Sequence, residues 1–387
     1  MKTPLLTGPF RPFFLLAGML ALVLVPLWLH VYGGIVVAPS HLGPIGWHAH
    51  EMLFGYTSAV IAGFLLTAAA NWTGRPTVRP WSLLGLVLVW IAGRIMMWFS
   101  ARLPFGVVMC TELAFFVGVA VSCAVPIIKT RNFRNLGLVV LVLGLGLCDA
   151  AVLMHAYGRM LWLRNPLIVA LDTVLIIIAI VGGRIIPNFT RNALGHLTMR
   201  ARGPIDALAL VGVVSVAVID ATPLSSSWML AAFGTAAGVA NLSRMRGWHS
   251  LQTIKHPIVF VLHLGYAWLG VGLLLRGLSA WVPDRIPTAA AIHTLSIGAI
   301  GTLTLGMMAR VALGHTGRKL VFHPTARAAM ILMTGTVLVR VFGTLAPRTW
   351  YLPSLIVAGT LWTLAFGLFL YHYVPILLAP RPDGRPG

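Results

Sequence analysis

Twelve apolar stretches follow one another along the chain, separated by short polar connections, at 13–31, 47–69, 81–99, 105–127, 136–157, 166–186, 205–221, 228–242, 257–278, 289–313, 326–345 and 351–375. A helix that crosses a bilayer takes about 20 mostly apolar residues, and the runs at 205–221 and 228–242 are the shortest of the set. Pro44, Pro104, Pro166, Pro204, Pro257 and Pro287 stand just before or at the start of a run, where the missing N–H costs a helix nothing. No connection is long enough to fold separately. The pattern therefore predicts an all-α polytopic membrane protein of about 12 transmembrane helices, arranged as one transmembrane domain over residues 1–387. At the N-terminus, MKTPLLTGPFRPFFLLAG has basic residues before an apolar run but no small-residue cleavage site, so the first span is read as retained.

Composition agrees: 58% of residues are hydrophobic and 9% charged, whereas a water-soluble domain carries roughly a quarter charged residues. The net charge of +20 would raise the question of nucleic acid in a soluble protein. Here the cations lie in loops, where they set orientation, and nucleic acid is not an expected partner. Eighteen loop cations fall on one side of the predicted topology, and only Arg102, Arg159, Arg164, Arg285 and Arg348 on the other. By the positive-inside bias both termini are expected in the cytoplasm, with even-numbered helices entering from outside. Cys110, Cys123 and Cys148 all lie in apolar runs, where thiols pack, and they receive no chemical role.

Ionisable side chains inside hydrocarbon cost about 2.5 to 3.5 kcal/mol each, so each one calls for a partner or a task. They concentrate in the outer half: His48, His50 and Glu51 on span 2, Arg94 on span 3, Glu112 on span 4, Asp149 and His155 on span 5, Asp172 on span 6 and His293 on span 10. Pro44, Pro166 and Pro287 precede His50, Asp172 and His293 by the same six residues. At 1.5 Å per residue each of the three lies roughly 9 Å below its helix start. Imidazoles at equal depth on separate helices suit axial haem coordination, and equally suit satisfied core histidines. Arg94 and Arg340 are placed to anchor haem propionates or to pair with Glu112 or Asp172.

Within WHAHEM an α-helix places His48, Glu51 and Met52 on one face and His50 on another. Imidazole and thioether suit copper, so His48, His50, Met52 and His155 join His293 as candidate metal ligands. A carboxylate beside them would hold a histidine tautomer, carry protons, or simply pair Glu51 with Arg94. HEMLF is not the HExxH of zinc proteases, because Phe54 takes the second histidine position. There is no CxxCH, so any haem is held non-covalently. In the inner half His263 is the best ligand candidate, and Gly298, Gly301 and Thr302 form a small-residue stripe below His293 that admits a flat group or close helix packing.

The segments WHAHEMLFGYTSAVIAGFLLTAAANWTG (47–74), GRIIPNFTRN (183–192), LHLGYAWLGVGL (262–273) and HTLSIGAIGTLTLGMMARVALGHTGR (293–318) resemble the NnrS family of bacterial membrane proteins. The likeness runs in order over most of the chain, from GPFRPFFLLAG (8–18) to the last span. Ala70-Asn71-Trp72 departs slightly from the family's usual AVPNWTG. The resemblance implies a twelve-span protein of the bacterial inner (cytoplasmic) membrane with non-covalent haem b and copper or a second metal, linked to nitric oxide in denitrification or nitrosative stress. Carried over by position, the family's recurrent polar residues fall on His48, His50, Glu51, Arg94, Arg184, His263, His293, Arg310 and His315.

Reduction of nitric oxide to nitrous oxide needs two electrons and two protons, for which Glu51, Glu112, Asp149 and Asp172 are the relay candidates. The electron donor, a quinol or a cytochrome, leaves no docking motif. Two other readings stay open: a non-catalytic protein that binds nitric oxide or manages metal, and an ion-coupled transporter with the twelve-span layout.

Overall fold

The computed structural model describes residues 4–159, 165–195, 203–222 and 227–384. Among the loop cations Lys2, Arg164, Arg200, Arg202 and Arg385 lie outside the described residues. Every described element is helical. Eleven helices are long and apolar enough to cross a membrane. They are α1 (Phe10–Tyr32), α2 (Gly43–Thr73), α3 (Pro80–Trp98), α4 (Phe105–Lys129), α5 (Phe133–Ala156), α6 (Pro166–Leu194), α7 (Pro204–Ala221), α9 (Pro257–Trp281), α10 (Thr288–His315), α11 (Pro324–Leu345) and α12 (Arg348–Leu378). The chain is a multi-pass membrane protein.

The twelfth predicted run is helix α8 (Ser227–Arg244), which is helical but not apolar enough to count with the rest. Its composition serves packing instead. A Cβ on Gly238 would lie 2.6 Å from the backbone nitrogen of Leu274, and one on Gly277 would lie 2.6 Å from that of Thr235. α8 and α9 therefore approach backbone to backbone, as small residues permit in membranes. Asn241 of α8 donates to the Ala209 carbonyl of α7 at 3.1 Å and accepts from the Tyr266 hydroxyl of α9 at 2.7 Å. Low hydropathy is the cost of a helix held by glycine contacts and amide bonds.

The chain falls into two compact units. Unit 1 comprises Met1–Ala170, Val311–Lys319 and Phe369–Gly387, and unit 2 comprises Leu171–Arg310 and Leu320–Leu368. In unit 1, α1 packs on α2, α2 and α3 on α4, and α4 on α5. In unit 2, α8 packs between α7 and α9, while α9 and α11 pack on the first half of α10.

Two of the helices change winding partway. α2 passes into a π-helical turn over Glu51–Thr57 and α10 over Thr294–Gly301, each starting on the residue after a motif histidine. A π turn widens the i to i−4 ladder by one residue and recurs at functional positions. In α2 the Thr57 hydroxyl caps the widened turn by donating to the carbonyl of Met52, five residues back, at 2.7 Å.

Candidate functional site

α2 and α10 are two versions of one segment. Pro44, His50, Gly55, Gly63, Ala69, Thr73, Gly74 and Arg75 recur at one constant offset as Pro287, His293, Gly298, Gly306, Ala312, Thr316, Gly317 and Arg318. Both segments close on a glycine in the left-handed region, Gly74 at φ +63° and Gly317 at φ +70°, where a side chain would be strained. In each case the next helix opens on a proline, Pro80 or Pro324, and carries an arginine in its second half, Arg94 or Arg340.

In unit 1 the first version builds an ionic cage. His50 is fully buried, with Nδ1 3.1 Å from Glu51 Oε1 and Nε2 2.8 Å from Asp149 Oδ1 of α5. Arg94 of α3 donates through Nη1 to Glu51 Oε1 at 2.8 Å and through Nη2 to Glu112 of α4. Glycine makes the room. A Cβ on Gly55 would lie 3.1 Å from both Arg94 Nη1 and Glu51 Oε2, and one on Gly93 would lie 2.9 Å from Glu112 Oε1. Trp90 adds a fixed edge by donating to the Gly55 carbonyl at 3.1 Å. One imidazole and three carboxylates from three helices thus face a single guanidinium, and Glu112 Oε1 and Asp149 Oδ2 receive no hydrogen bond. His50, Glu112 and Asp149 each offer a ligand atom within 4.8 Å of the others.

In unit 2 the second version has the histidine and the arginine without the acids. His293 Nδ1 donates to the Ala289 carbonyl of its own helix at 2.7 Å, which leaves Nε2 as the ring nitrogen with a lone pair. Thr294 stands where α2 has Glu51, and the sequence of α12 contains no acidic residue where α4 has Glu112. Arg340, 4% exposed, donates through Nη2 to the Tyr351 hydroxyl at 3.3 Å and lies over that ring at 5.3 Å, while its Nε and Nη1 are buried without a hydrogen-bond partner among the described residues. Trp268 Nε1 and Thr302 Oγ1 are further buried atoms without partners in this unit.

The remaining predicted residues are placed as follows. The grouping of His48, Glu51 and Met52 on one face gives way, because the winding changes at Glu51 and its carboxylate turns to His50 and Arg94. His48 stacks on Trp28 at 4.2 Å between ring centroids, and Met52 is half-buried in the π turn. His155 is exposed at the end of α5, away from the cage. His263 has both ring nitrogens engaged, Nε2 with the Thr190 hydroxyl and Nδ1 with the Ser250 hydroxyl, each at 2.8 Å, the bonding of a satisfied core histidine. Arg310 lies over the Phe189 ring at 3.9 Å, and the His315 ring is 5.6 Å from that of Phe10. Asp172 is buried beside Asp220, with its Oδ2 unpartnered, and Arg276 donates to both oxygens of Asp220 at 3.0 and 2.9 Å. Asp220 and Arg276 are additions to the predicted set; being ionisable at the ends of apolar runs is the signal that marks them. The small-residue stripe serves packing, with Gly298 against the Trp268 indole and Gly301 against Trp362 and Met333.

A helical multi-pass membrane protein with buried ionisable groups on paired histidine helices is the class these features define. A family model described as NnrS protein matches residues 4–381, nearly the whole chain, and the chain belongs to the NnrS family. No curated protein matches it.

Proposed function

We propose that the protein is a haem-containing protein of the bacterial inner membrane that handles nitric oxide, most directly by reducing it to nitrous oxide. The observation that carries the reading is in unit 2: His293 keeps a ring nitrogen with a lone pair, and Arg340, on the helix α11 that packs on the first half of α10, is a buried guanidinium with two donor nitrogens that find no acceptor among the described residues. A buried unpaired cation is strongly unfavourable, so such an arginine calls for an anion from outside the chain. Haem supplies both needs, an iron for the imidazole and a propionate for the guanidinium.

When bound, the haem supplies the iron at which nitric oxide is held and electrons are delivered. The chain's own groups do the rest. The Ala289 carbonyl fixes the His293 tautomer and ring direction. Arg340 would hold a haem propionate. Nitric oxide, small and apolar, reaches a buried centre through lipid, whereas protons need carboxyl groups. Asp172, next to Asp220 with a free Oδ2, is the group unit 2 offers for holding a proton. Glu51, one of the relay candidates from the sequence, serves instead as a fixed acceptor for His50 and Arg94.

An absorption spectrum of the purified protein with a pyridine haemochrome assay tests the cofactor. Steady-state consumption of nitric oxide with a quinol or cytochrome as donor tests turnover. Haem without consumption would favour a protein that binds and sequesters nitric oxide.

A further inference from the structure

The unit 1 cage carries a charge that its own residues do not balance. Glu51, Glu112 and Asp149 are 2%, 2% and 0% exposed; Arg94 is the cation bonded to the first two, and Asp149 is held by His50 Nε2. With His50 neutral the group sums to two negative charges in an apolar surround, and protonating His50 still leaves one. Two carboxylate oxygens, Glu112 Oε1 and Asp149 Oδ2, are buried with no donor at all. Each carboxylate is bonded through one oxygen only, and a net negative charge with unsatisfied oxygens is costly in an apolar surround, so the cage calls for a further cation.

We infer that His50, Glu112 and Asp149 form a binding site for one divalent metal ion, with Glu51 as the residue that positions His50. A divalent ion with neutral His50 brings the cage to zero: Arg94 and the metal contribute three positive charges against three carboxylates. The geometry suits it. One ligand atom from each of the three residues lies within 4.8 Å of the others, a set around which bonds of about 2.0 to 2.2 Å close by side-chain adjustment. His50 Nε2 and Asp149 Oδ1, 2.8 Å apart, are spaced as neighbouring ligands. Glu51 accepts from Nδ1 at 3.1 Å, the arrangement in which a carboxylate orients a metal-bound histidine, and Arg94 holds that carboxylate in turn.

The donor set selects the ion. One imidazole nitrogen and two carboxylate oxygens, with no sulfur among them, suit manganese(II), iron(II), cobalt(II) or zinc(II) and disfavour copper(I). Three protein ligands also leave coordination positions for water or a small ligand. The site belongs to unit 1 and does not depend on the haem reading of His293.

The test uses the full chain purified in detergent, stripped with a chelator and titrated with cobalt(II), followed by its visible d–d bands, and with manganese(II), followed by electron paramagnetic resonance. One ion per chain is expected. Asp149→Asn and Glu112→Gln each weaken binding at least 10-fold, and Glu51→Gln weakens it by about 10- to 100-fold while saturation still reaches one ion, as loss of an orienting carboxylate does. His50→Cys keeps a ligand at the position and adds a sulfur-to-cobalt charge-transfer band, so the ligand assignment does not hang on a variant that loses the site. Haem content stays unchanged in all four, which separates failure here from failure of the haem reading. Absence of a stoichiometric ion, binding that survives Asp149→Asn undiminished, or preferential retention of copper(I) would overturn the inference. So would an infrared carbonyl band of a protonated carboxyl that disappears in Glu112→Gln, because a proton would then supply the missing charge.

Discussion

The α2 and α10 segments share their prolines, histidines, glycine spacing, π turns and C-terminal glycine caps, and differ in the acids around them. In unit 1 Glu51, Glu112 and Asp149 surround His50, and Arg94 is consumed in pairing with two of them. In unit 2 Thr294 replaces the first acid and α12 supplies none, so Arg340 keeps two donors and His293 keeps a nitrogen. One backbone pattern thus supplies a histidine and, in the second half of the next helix, an arginine, and the neighbours decide what each bonds. With acids, the pair becomes a closed cage that attracts a cation. Without them, on the proposed reading, it is left to take an anion attached to a metal.

The comparison breaks most visibly at the histidines. His293→Ala is expected to abolish haem binding, whereas His50→Ala leaves the haem spectrum in place and removes the metal of unit 1. Next in size is Arg94→Gln, which leaves Glu51 and Glu112 without their cation and destabilises the protein by about 3 to 5 kcal/mol, the loss typical of a broken buried pair. Thermal unfolding in detergent measures it, and adding Glu112→Gln to the same chain recovers part of the loss. Arg340→Gln is milder, because the partner the guanidinium would leave is the neutral Tyr351 hydroxyl rather than a carboxylate. It removes charge-assisted bonds worth about 1.5 to 3 kcal/mol to the propionate, which is roughly a 10- to 100-fold drop in haem affinity, read by haem transfer to apomyoglobin. Thr294→Glu sharpens the contrast by giving α10 the acid of α2: the new carboxylate pairs with Arg340 and weakens haem retention to a similar degree. Smallest is Gly93→Ala, whose Cβ meets Glu112 Oε1 at 2.9 Å. It shifts one carboxylate and costs about 1 to 3 kcal/mol, as overpacking does.

Much of this was readable in advance, for identifiable reasons. Hydropathy and helix-opening prolines mark the spans because each helix must satisfy its backbone internally and face lipid or other helices. α8 departs because glycine and asparagine contacts replace apolar mass. Counting residues beyond Pro44, Pro166 and Pro287 puts His50, Asp172 and His293 equally far along their own helices, since rise per residue is nearly constant. What spacing could not show is which way each side chain turns. The π turn at Glu51 redirects its carboxylate to His50, and a pattern that assumes 3.6 residues per turn places it with His48 and Met52 instead. The partner of His50 sits on α5 and that of Arg94 on α4, choices made by packing rather than by sequence distance. Arg94 and Arg340 looked alike as propionate anchors. Aligning α2 with α10 would have separated them, because only the first segment carries the acid after its histidine.

The central claim is that the two histidine segments have parted chemically, with haem at His293 and a caged cation at His50. Pyridine haemochrome assays on purified His50→Ala and His293→Ala proteins, normalised to folded protein, test it in one comparison. Full haem in the first and none in the second is the predicted result; equal loss in both, or loss only in the His50 variant, would contradict it.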